Sequence, residues 1–157
     1  MWREIKTEDE LRQFLNSVYD FHDSCLKELK YVSGAYVNDD LAMYPVNDRR
    51  ILRVIIQRQF EDNPMLELEF YGLKFLNLAP VREDYTCEIH GSAMFLRDGL
   101  FYWYDEDCLA ETDLERVDLN RFMGTIVCAS GLRWRPVENH LGPDAYYQER
   151  DRGSSLV

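Results

Sequence analysis

The chain has 157 residues, 46% of them hydrophobic and 13% aromatic, and carries 29 acidic against 18 basic side chains for a formal net charge of −11. A chain of this length hides roughly two thirds of its unfolded surface on folding, so a single packed domain is expected without disulfide or metal staples. The charge argues against general binding to nucleic-acid backbones, which needs clustered Lys and Arg, and favours a basic partner over an acidic one.

Met1-Trp2-Arg3-Glu4-Ile5-Lys6 leads straight into a charged helix start with no apolar leader. Apolar runs such as Val54-Ile55-Ile56 fall far short of the roughly 20 residues that cross a bilayer, so a cytoplasmic protein without a membrane association is expected. Thr7-Glu8-Asp9-Glu10 fits a capping box, and Leu11, Phe14, Leu15 and Val18 follow at helical spacing, which predicts one amphipathic helix over about 7–20. Strand signals take over from Ser24. Leu29, Tyr31 and Tyr36-Val37, interrupted at Ser33-Gly34, predict a strand with a bulge or bend, and Asn38-Asp39-Asp40 predicts a turn. Leu52, Val54, Ile56 and Phe60 alternate with Arg53, Gln57 and Gln59, and after Asn63-Pro64 the residues Leu66, Leu68 and Phe70 alternate with Glu67 and Glu69. A separate apolar segment, Leu73 to Leu78, follows Gly72. Thr86 to Leu96 and Leu100 to Tyr104 flank Arg97-Asp98-Gly99, a type I′ hairpin signal. An acidic connection runs from Asp105 to Asp118, Thr125 to Pro136 predicts the last strand, and periodicity fades beyond it. The predicted class is α+β: a mainly antiparallel sheet of six or seven strands, open or curled, with the helix packed on it, forming one domain over 1–141 with a loose tail over 142–157.

Few residues carry a chemical signature. Phe21-His22-Asp23-Ser24, at the helix-to-strand junction, contains the three residue types of a hydrolytic triad. Consecutive side chains point in different directions, however, so a structural role is expected, with Asp23 or Ser24 bonding to backbone and His22 filling a junction pocket. His22, Asp23 and His90 are the metal candidates, but no H-x-x-x-H, H-x-H or EF-hand spacing specifies a metal, and no glycine motif cradles a phosphate; no cofactor is expected. Cys25, Cys87, Cys108 and Cys128 form no C-x-x-C pair and are expected to be reduced. Three of them lie in strand-like segments as small core residues, and Cys108 sits among acids that disfavour a thiolate. Glu67 and Glu69, roughly 6–7 Å apart by strand rise, bear only a superficial likeness to a glycosidase pair and are expected on a solvated face.

The aromatic run Phe101-Tyr102-Trp103-Tyr104 places two rings on each strand face. Phe101 and Trp103 are assigned to the core; Tyr102 and Tyr104 are either covered by another element, such as the helix, or form an open face beside the acidic run. Tyr102, Tyr104, Asp105, Glu106 and Asp107 are therefore the candidate partner-binding residues, since tyrosines and carboxylates together suit Lys- and Arg-rich surfaces.

The amphipathic helix, the Phe21-His22-Asp23-Ser24 junction, the strand-rich middle and the closing Leu132-Arg133-Trp134-Arg135 resemble small uncharacterised bacterial domains, some of which sit beside polymorphic toxins as immunity proteins. The resemblance covers roughly residues 2–136 and implies a cytoplasmic, antitoxin-like binding protein without catalysis. Two rival functions are weighed beside it: a small-ligand or metal-dependent enzyme centred on His22, Asp23 and His90, and a nucleic-acid mimic with carboxylates aligned along one face. Neither partner identity nor oligomeric state is legible.

Overall fold

The computed structural model describes residues 1–105, 124–138 and 141–143. In chain order the elements are β1 (Arg3–Ile5), α1 (Glu8–Ser17), a short 3-10 turn (Tyr19–Phe21), β2 (Ser24–Val32), β3 (Tyr36–Val37), β4 (Met43–Tyr44), β5 (Ile51–Arg58), β6 (Met65–Asn77), β7 (Glu88–Ile89), β8 (Ala93–Arg97), β9 (Leu100–Tyr104) and β10 (Ile126–Pro136). The expected α+β class is what is found. An antiparallel sheet in the order β7-β2-β5-β6-β10-β9-β8 curls into a half-barrel, β1 adds to β10, and β3 and β4 form a separate two-stranded ribbon.

Helix α1 begins where the capping box places it. The Glu10 backbone N–H donates to the Thr7 hydroxyl at 3.2 Å, and the Glu10 carboxylate accepts from the N–H groups of Thr7 (3.2 Å) and Lys6 (2.7 Å), so free donors at the helix start are satisfied from both directions. Leu11, Phe14 and Val18 are buried against the sheet, where Phe14 meets the Trp134 ring at 4.9 Å between centroids. That sheet face carries Leu52, Val54 and Ile56 from β5, Leu66, Leu68 and Phe70 from β6, and Leu132 from β10, the alternating sets legible in the sequence, and together they make the main core.

The two apolar segments expected around Gly72 are one continuous strand. Gly72, at φ 62°, bends β6, and the register with β10 shifts between Cys128 and Ala129 across from the bend. A bulge with a left-handed glycine keeps the chain pairing while it turns, which is how one long strand serves a curled sheet. The register shift also splits one edge of β10: Ile126 to Ala129 pair with β9, and Leu132 to Trp134 pair with β1. The Asp98-Gly99 hairpin forms as read, with both residues at positive φ (52° and 74°) and Arg97 opposite Leu100. The segment expected as one strand from Thr86 to Leu96 is instead divided into β7 and β8. Among the described residues no helix is long and apolar enough to cross a membrane.

Candidate functional site

The second sheet face departs most from the sequence reading. Glu67 and Glu69, expected in solvent, are each 1% exposed. Strand β6 is central, and its neighbours bring arginines to the same face: Arg53 lies opposite Glu69 on β5, while Arg133 and Arg135 lie opposite Glu69 and Glu67 on β10. Arg53 Nε donates to Glu69 Oε2 at 2.9 Å, Arg133 donates to Glu69 Oε1 from Nε (2.8 Å) and Nη2 (2.5 Å), and Arg135 donates to Glu67 Oε2 from Nε (2.7 Å) and Nη2 (2.6 Å). The Trp2 ring covers this network, with the guanidinium carbons of Arg133 and Arg135 at 4.7 and 4.5 Å from its centroid. Alternation shows which residues share a face, and strand neighbours decide whether that face is wet. Carboxylates each held by guanidiniums do not make a glycosidase pair, and these two do not form an exposed row that could mimic phosphates.

The Phe21-His22-Asp23-Ser24 junction is a left-handed turn. Tyr19, Asp20, Phe21 and Asp23 have φ of 53°, 50°, 61° and 54°, a conformation that costs roughly 1–2 kcal/mol per non-glycine residue. Packing and hydrogen bonds hold it. Phe21 is fully buried, edge-on to Phe14 at 5.8 Å and 6.4 Å from Trp103, and the Tyr19 ring stacks on Phe60 at 4.8 Å. The Ser92 N–H and hydroxyl donate to the Asp20 carbonyl (3.1 and 3.2 Å), Gln59 N–H donates to the Asp23 carbonyl (3.0 Å), and the Ser24 hydroxyl donates to the His22 carbonyl (3.2 Å). Ser24 therefore bonds to backbone, as expected. His22 does not fill a pocket: its side chain is 55% exposed, with Nδ1 at 2.9 Å from Asp23 Oδ1. Pairing of Ser24 with Ile89 brings His90 to the same end of the sheet, where its Nδ1 lies 3.9 Å from Glu88 Oε1. Among the described residues, no group of three or more His, Cys, Asp or Glu side chains could hold a metal ion, so His22, Asp23 and His90 do not assemble into one.

At the end of β9, Phe101 and Trp103 enter the main core as expected. The opposite ring pair is not an open face. Tyr104 is fully buried with Ala93 and Ile126, and Phe75, Phe95 and the half-buried Tyr102 pack on this cluster. Helix α1 lies on the other face, so it is not the cover. Burial pushes the Tyr104 hydroxyl up to about 12, with Tyr102 and Cys128 adding to the rise, and burial also raises Tyr102 and Cys128. Asp105 accepts the Thr125 N–H at 3.0 Å and so helps fix the start of β10. Glu106, Asp107, Cys108, most of the acidic connection, His140 and nearly all of the expected tail lie outside the described residues. Of the remaining cysteines Cys128 is buried and Cys25 half-buried, while Cys87, expected in the core, is exposed because it precedes the two-residue strand β7 rather than lying inside a longer one.

One exposed feature was half legible in the sequence: Tyr36-Val37 and the turn at Asn38-Asp39-Asp40 were expected, but as a continuation of the strand before Ser33-Gly34, whereas β2 ends at Val32 and they open a separate ribbon. The β3–β4 ribbon pairs Tyr36 with Tyr44 and Val37 with Met43, stacks the two tyrosine rings at 4.8 Å and 8°, and leaves all four residues exposed. The returning strand carried no expectation: its signal was present in Ala42-Met43-Tyr44, but two residues are too few to show a period.

No protein-family model, curated protein or solved structure matches this chain.

Proposed function

We propose that the chain is a non-catalytic, acidic protein-binding module of the immunity or antitoxin type that occupies a basic surface of its partner. The observation that carries this reading is where the cations lie. Arg53, Arg133 and Arg135 are drawn onto the sheet by Glu67 and Glu69, and Arg58 is buried, its Nη1 donating to the carbonyls of Asp62 and Asn63. With these four arginines engaged by the chain's own carboxylates and carbonyls, the field the molecule presents is that of its formal charge of −11. Such a field steers encounter with a positively charged surface and repels polyanions. An enzyme centred on His22, Asp23 and His90 has no specific observation in its favour.

Capture from a lysate of the source organism, with the untagged full chain as bait and elution by a salt gradient, tests the proposal. A partner with a basic interface that elutes as ionic strength rises is expected. A partner with an acidic interface, or one held equally at low and high salt, would remove the electrostatic basis of the reading.

A further inference from the structure

We propose that the β3–β4 ribbon is the arm with which the chain docks, and that the surface it fits is an apolar cleft rimmed by Lys or Arg side chains. The inference rests on the binding-module reading and assigns it a place. The arm begins at a fixed neck: the Arg49 and Arg50 N–H groups both donate to the Ser33 carbonyl (3.0 and 3.2 Å), Tyr31 Oη is 3.1 Å from Asn47 Oδ1, and the Leu73 N–H on β6 donates to the Arg50 carbonyl (3.0 Å). Its tip is equally well made, with the Asn38 N–H donating to the Ala42 carbonyl, the Leu41 N–H to the Asn38 carbonyl, and the Ala42 N–H to Asn38 Oδ1 at 2.8 Å.

Along the arm, Tyr36, Val37, Leu41, Met43, Tyr44 and Val46 are 44–84% exposed. A two-stranded ribbon is marginal in water by itself, and apolar side chains left in solvent on both of its faces contribute nothing to the core that folds the domain. Burial against something else accounts for their presence. Charge selects the occupant. The tip carries Asp39 and Asp40 and the strands carry no Lys or Arg, while Asp48 lies at the neck beside Arg49 and Arg50. A second copy of this chain would bring like charges together at the tip, and an acidic or nucleic-acid partner would be repelled. A partner that is apolar in the centre and basic at the rim satisfies the side chains and the acids together, with the stacked tyrosine faces available to its cations.

Selection of displayed random peptides on the immobilised full chain, followed by binding to two variants, tests this. One variant is Tyr36→Ser/Met43→Ser/Tyr44→Ser and the other is Asp39→Asn/Asp40→Asn. Because every altered side chain is exposed, unchanged thermal unfolding is expected and confirms that both variants fold. Docking through the arm predicts recovered peptides that combine aromatic or aliphatic residues with Lys or Arg, bind the first variant about tenfold or more weakly, and bind the second about threefold more weakly with a reduced salt dependence. Basic peptides that bind both variants as well as the parent would overturn the arm while leaving the binding-module reading intact. Enrichment of no basic peptide would overturn that reading and the arm with it, and concentration-dependent self-association lost in the first variant would replace the basic partner with a second copy.

Discussion

Glu69 sits between Arg53 and Arg133 on neighbouring strands, and its removal deprives both of the carboxylate they share. Glu69→Ala is expected to cost about 2–4 kcal/mol in urea unfolding, toward the lower end for a broken buried pair because each arginine is about a third exposed; a loss within experimental error would show that the network contributes nothing net. Tyr104 gives a pH-dependent expectation. Its folded-state pKa of about 12 lies above the ordinary 10, so the folded state holds the proton longer, and stability falls as pH rises from about 10 toward 12. Tyr104→Phe should flatten that part of the alkaline stability curve; an unaltered curve would refute the assignment. Among Cys25, Cys87 and Cys128, a small alkylating agent followed by peptide mapping should modify the exposed Cys87 first and the buried Cys128 last. At this scale the sequence revealed polarity and parity well. It could not reveal the depth of Glu67 and Glu69, since that depends on arginines 14 to 68 positions away becoming strand neighbours.

The helix and the Asp98-Gly99 hairpin were legible because their determinants are local: a capping box within four residues, and two adjacent residues that accept positive φ. The left-handed turn at Tyr19–Phe21 was not, because none of its residues is glycine and the conformation is imposed from outside by burying Phe21. Phe21→Ala should therefore cost about 3–5 kcal/mol, the usual range for emptying a buried phenylalanine site. It should also release the turn, detected as faster amide exchange at His22 and Ser92, whose N–H groups bond to the carbonyls of Tyr19 and Asp20. Exchange unchanged at those two amides would mean that the turn holds its shape without the phenylalanine. Of the β3–β4 ribbon, Tyr36-Val37 and the turn at Asn38-Asp39-Asp40 were legible, whereas the returning strand, two residues long, was too short for periodicity.

Across the whole molecule, the class of fold followed from one amphipathic helix and a series of alternating segments, whereas the curl of the sheet depends on the bend at Gly72 and the register shift near Cys128, which together let β10 pair with both β9 and β1. Charge follows the same division between local and collective properties. Net charge is a sum over residues, but where it acts depends on the sheet drawing arginines toward Glu67 and Glu69 and leaving acids such as Asp39 and Asp40 exposed, and the proposed recognition rests on that. The most direct measurement is the association rate of the full chain with its captured partner as a function of ionic strength. Electrostatic steering predicts a rate that falls about tenfold or more between low salt and roughly 0.5 M, with the dissociation rate changing far less. An association rate independent of salt, or one that rises with it, would contradict recognition of a basic surface.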